Sequence, residues 1–84
     1  VDWNDSATYE LGSYVQVPVG QTERSHIFRR HSAVSSEGKV WSTQVSFKQP
    51  LFLECMGVDD RRLITSNLDG DRCRRAASWE HAAV

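Results

Sequence analysis

Two cysteines, two prolines and one methionine are all that this 84-residue chain contains of those three types. Two thiols cannot supply a four-cysteine zinc site. No Cys-x-x-Cys motif is present, and the closely spaced histidines His26 and His31 fall on opposite faces of a regular strand, so no metal site is expected. The longest run of Leu, Ile, Val, Phe or Met is Leu51–Phe52–Leu53, far short of the roughly 20 apolar residues that span a bilayer. There is no glycine-rich phosphate loop, dinucleotide fingerprint or Ser/His/Asp ordering, and no cofactor is expected. The formal net charge of −1 and isoelectric point of about 6.3 lack the basic footprint of a nucleic-acid-binding domain.

Leucine is also sparse, with five leucines against nine valines, and eight residues are aromatic. That balance favours strands over helices. Leu, Ile, Val and Phe together number nineteen, just above the share at which chains stay disordered, so one domain with a thin core is expected over 1–84. A chain of this size buries only about 60–65% of its unfolded surface and needs a staple.

The strand pattern starts after a polar arm at 1–8. Val15, Val17 and Val19 alternate with Gln16 and Pro18, and Pro18 places this strand at an edge because it has no N–H for a ladder. Ser25 to Val34 reads as a second strand that alternates poorly. Trp41, Thr43, Val45 and Phe47 face one way and Ser42, Gln44, Ser46 and Lys48 the other, the clearest half-buried strand in the chain. Leu51–Met56 is apolar on both faces apart from Glu54 and reads as a central strand. Asp69-Gly70 is a hairpin signal between strands at Arg62–Leu68 and Arg72–Arg75. The expectation is an all-β domain, a small antiparallel sandwich or barrel of five to six strands. Its β core covers 9–75, and 76–84 forms a short helix or a frayed tail.

The two cysteines, Cys55 and Cys73, are expected to form a disulfide, the usual staple of a small domain, with free buried thiols as the alternative. Closing a loop of some 18 residues contributes about 3 kcal/mol in the chain-entropy model. In a flat meander the two would lie two strands, roughly 10–12 Å, apart, and a disulfide tolerates less than about 7 Å. A bond therefore requires the sheet to fold over between them. The stretch ending in Asp69-Gly70-Asp71 fails as a calcium loop, because Thr65 and Ala76 fall where acidic ligands belong.

Glu54 is the polar residue that stands out, a carboxylate between Phe52 and Met56 on one strand face. Desolvation there raises a carboxyl pKa and suits general-base work. With Arg62 and His81, or His31, it makes a set that resembles, in residue type alone, that of small secreted ribonucleases of the microbial type. The plainer reading is a Glu54–Arg ion pair at a sheet surface. Residues 24–75 hold ten Lys or Arg against six acids, whereas 1–23 hold four acids and no cation. Eight of the ten cations are arginine, suited to planar contact with carboxylates.

A secreted, monomeric, disulfide-stapled binding module is the leading expectation, of the inhibitor, toxin-like or effector-like kind. Its protein partner carries an acidic patch, and Arg29, Arg30, Arg61, Arg62 and Trp3 do the binding. The alternatives are the metal-free ribonuclease-like enzyme and an intracellular barrel that stacks single-stranded bases. A start at Val1-Asp2-Trp3, without methionine, is expected of a processed secreted chain as of a trimmed one. Asn4-Asp5-Ser6 fits the N-glycosylation pattern.

Overall fold

Val15, Val17 and Val19 alternate as expected, and all three are at most 2% exposed in the computed structural model, which describes residues 1–20, 24–32, 47–59, 63 and 71–84. They line one face of β1 (Tyr14–Pro18) and its continuation. Strand β2 (Ser25–Arg30) pairs with β1 antiparallel, and β3 (Trp79–Ala83) pairs with the other side of β2, giving the order β1-β2-β3. β1 is an edge, as Pro18 predicts. Its outer side is met by the first residues of the chain, through Trp3 N to Gln16 O at 2.9 Å and Gln16 N to Val1 O at 2.7 Å.

Two expected strands are helical instead. Leu51–Cys55 belongs to α1 (Gln49–Cys55), which Met56 caps and which buries Phe52 and Cys55. Proline in its first turn suits a position whose N–H has no intrahelical partner. Gly57, at φ +70°, ends it: Gly57 N bonds to Glu54 O and Val58 N to Leu53 O, a Schellman motif that a positive φ makes cheap for glycine. Arg72–Arg75 lies in a 3-10 helix, Asp71–Ser78, rather than a strand. Conversely, 76–84 is neither one short helix nor a frayed tail: residues 76–78 complete the 3-10 helix and Trp79–Ala83 forms β3. Pairing with β2 and burial of Trp79 outweigh the weak helix preference of the alanines.

The described residues are mostly β, with this one three-stranded antiparallel sheet. The further strands expected at 40–48 and 62–68, with Trp41 and the Asp69-Gly70 turn, lie outside them, apart from Phe47, which is buried, Lys48, which precedes α1, and Leu63, which bridges Val58.

The core forms where α1 lies against the inner sheet face. Phe52 is its hub: Trp3 stacks on it with centroids 4.4 Å apart, and Phe28, Trp79 and Phe47 meet it edge-on at 5.1, 6.0 and 6.0 Å. Such edge contacts add about 0.5–1.5 kcal/mol each beyond the area they bury. Cys55 and Cys73 are joined, Cα to Cα 5.2 Å. The meander geometry does not apply, since the bond runs from the end of α1 to the 3-10 helix.

Candidate functional site

Trp3 is not a free anchor on a polar arm. Besides Phe52, it stacks on Tyr9 at 5.6 Å and meets Trp79 edge-on at 5.4 Å. Its indole N–H donates to Asp5 Oδ1 at 2.8 Å, and the same oxygen accepts from Gln49 N at 2.6 Å. Asp5 thereby closes the amino end of α1, where Lys48 contributes no side-chain cap. The Tyr9 hydroxyl accepts from Asn4 N at 2.7 Å and donates to Asp2 O at 3.3 Å. Residues 1–9 are therefore held against the core.

Trp3, Tyr9, Trp79 and Phe47 line a recess, with Asp5, Ala7 and Arg75 completing its wall. The space for water-sized occupants is about 20 Å³, room for one small group and too little for a base or sugar ring. Its surface is mainly apolar, with one cationic side chain from the 3-10 helix.

On the inner face of the sheet lie His26 and Arg30 from β2 and His81 from β3. His26 Nδ1 and His81 Nε2 are 2.8 Å apart, one donating and the other accepting. Burial, then the neighbouring His81 and Arg24, hold His26 below its ordinary value of 6.5. Arg30 is 6% exposed, its guanidinium carbon lies 5.8 Å from the Trp79 ring centre, and its Nε and Nη1 have no hydrogen-bond partner among the described residues. Burial lowers its pKa.

The remaining predicted residues are spread apart. Glu54 is not buried on a strand: it is exposed on α1 and pairs with Arg72 at 3.1 Å. His81 bonds to His26 instead, and His31 Nδ1 donates to Ser32 O at 2.8 Å, so the three members of the ribonuclease-like set that are described each have other partners. Arg29 pairs with Glu80 at 3.1 Å across the outer face. Both ion pairs are exposed and worth no more than about 1 kcal/mol each. Arg61 and Arg62 lie outside the described residues. No group of three or more His, Cys, Asp or Glu converges among the described residues, and none of their helices is long and apolar enough to cross a membrane.

Sequence reasoning missed Asp5, Tyr9, His26 and Arg75. His26 and His81 come to one face only once 79–83 is a strand, and Asp5 acts through a contact 44 residues away.

Fold and bonds define a small, disulfide-stapled, mostly β domain. No family model matches the chain, and no curated protein or solved structure matches it.

Proposed function

We propose that this domain is a secreted binding module that docks an acidic segment of another protein at the recess between Trp3, Tyr9 and Trp79. The observation that carries this reading is the meeting of Trp3, Tyr9 and Trp79 with Arg75 in one recess. Tryptophan, tyrosine and arginine dominate the energetics of protein interfaces, because they bury much area around a few polar contacts. A recess with room for one small group suits the tip of a partner's side chain. Arg75, which lines the recess, favours a carboxylate there. The Cys55–Cys73 bond accords with an oxidising, extracellular setting.

The test is a titration with a short blocked peptide rich in Asp and Glu, followed by NMR at the indole N–H signals. Shifts of Trp3 and Trp79, lost in Arg75→Ala and weakened by salt, are the expected result. An unmoved pair of indole signals would overturn the proposal. Single-stranded RNA, incubated without metal, checks the enzymatic alternative. Cleavage that disappears in Glu54→Gln would replace this reading, since a general base contributes about 10²–10⁴-fold.

A further inference from the structure

His26 and His81 come from distant parts of the chain and meet on the inner face of the sheet. His81 lies opposite Phe28, and the ladder is irregular between Ile27 and Phe28: one step along β2 answers two along β3, from Ala83 to His81. A bulge of this kind re-aims side chains. The His81 ring touches Phe28, with centroids 5.3 Å apart, and still reaches His26.

The two facing nitrogens are 2.8 Å apart and the ring centres 4.9 Å. That centre-to-centre distance is near the greatest that such a nitrogen contact allows, so the nitrogens point head-on at each other. This is the geometry of a hydrogen bond. A shared metal ion would instead need both lone pairs to converge on a third point.

Counting protons gives the consequence. With both rings neutral, one N–H donates and the other nitrogen accepts. With one ring charged, there is still one donor and one acceptor, and the bond gains from the charge. With both charged, two N–H groups oppose each other and two cations share a site where His26 is 3% exposed. Among the described residues, the charges that act on His26, those of His81 and Arg24, are both positive. β1 presents only valines to this face, and Val17 is the residue opposite His26. From α1 it is Phe52 that reaches Phe28, while Glu54 is held by Arg72. Arg29 and Glu80, on the outer face, bond to each other.

We propose that the His26–His81 pair is an acid-sensitive latch on β3, holding the strand while the pair carries at most one positive charge and releasing it when both rings are charged. The direction of the His26 shift agrees. Its folded value lies below 6.5, so below that pH the unfolded chain binds more protons than the folded one. The latch is intact above about pH 6.5 and lost as the pH falls through the lower folded value. Trp79 lies two residues before His81 on the same strand face, so release of β3 also takes one wall from the recess. That last step rests on the docking role proposed above; release of the strand does not.

Amide exchange of Trp79–Ala83, corrected for intrinsic rates, is the test, with β1 as internal reference, at pH 7.5 and pH 5.0. In the native chain β3 protection is expected to fall by about tenfold or more relative to β1, the order of magnitude of losing one hydrogen bond. His81→Gln keeps a neutral hydrogen-bonding partner for His26 and is expected to remove most of that pH effect. His26→Phe, apolar at a buried position, should do the same. A histidine NMR titration of the unaltered protein decides the matter if a variant does not fold: two separated protonation steps are expected. Equal loss of protection in β1 and β3, or an unchanged pH effect in both variants, overturns the latch, as does one common step for both rings. Failure of the acidic peptide to bind at pH 7.5 would count against the recess alone.

Discussion

Asp5 caps a helix that starts 44 residues further along the chain, its Oδ1 accepting the Gln49 amide at 2.6 Å. The same oxygen holds the Trp3 indole at 2.8 Å, so one carboxylate ties the first residues, α1 and the recess together.

Replacing Asp5 tests that tie. Removing a helix cap costs about 0.5–2 kcal/mol, and here an indole N–H also loses its partner. Asp5→Ala is expected to lose about 2 kcal/mol in urea unfolding. Asp5→Asn keeps an acceptor oxygen and is expected to recover most of the loss; equal losses in the two would rule out the cap.

Trp3 carries a second test. Its stacking on Phe52 and edge contact with Trp79 make it part of the core, although it is only half-buried. Trp3→Ala is expected to cost about 3 kcal/mol, at the low end for deleting a large aromatic. A thermal melting curve like that of the native chain would return Trp3 to the surface.

The disulfide is tested by reduction. About 3 kcal/mol of loop entropy, in a domain this small, corresponds to roughly 10 °C or more in Tm. Melting curves with and without reductant measure it, and two thiols should become reactive only after reduction. A shift of a degree or two would mean that the bond constrains little.

Arg30 gives a test in which two magnitudes compete. Its contact with Trp79 is worth about 0.5–2 kcal/mol, whereas each buried donor without a partner costs about 1–3 kcal/mol. Among the described residues Nε and Nη1 both lack partners, so Arg30→Met is expected to leave the domain as stable or more so. A loss above about 2 kcal/mol, at the upper end of such a contact, would show that the contact outweighs the unpaired donors.

Some of this architecture is legible in the sequence. The three alternating valines and Pro18 announce β1 and its place at an edge, and Cys55 and Cys73 announce their bond. β2 is harder to read because two of its three inward positions hold His26 and Arg30, so burial there does not follow hydrophobicity. α1 carries its own signals, Pro50 at the start and Gly57 just past the end, but seven residues with apolar side chains nearly all round read equally as a buried strand. β3 could not be read locally, since alanines favour a helix and only pairing with β2 makes them a strand. The recess is less legible still. Trp3 and Trp79 stand at opposite ends of the sequence, and the contacts that join them are tertiary.

The bond between Cys55 and Cys73 also closes the intervening chain into a covalent ring. β1, β2 and α1 precede its far side, and β3 follows it. A single protease cut between residues 55 and 73 opens that ring without dividing the molecule. Both fragments stay on one covalent body, migrate as one species until reduced, and bring β3 back to β2 without a search between free chains.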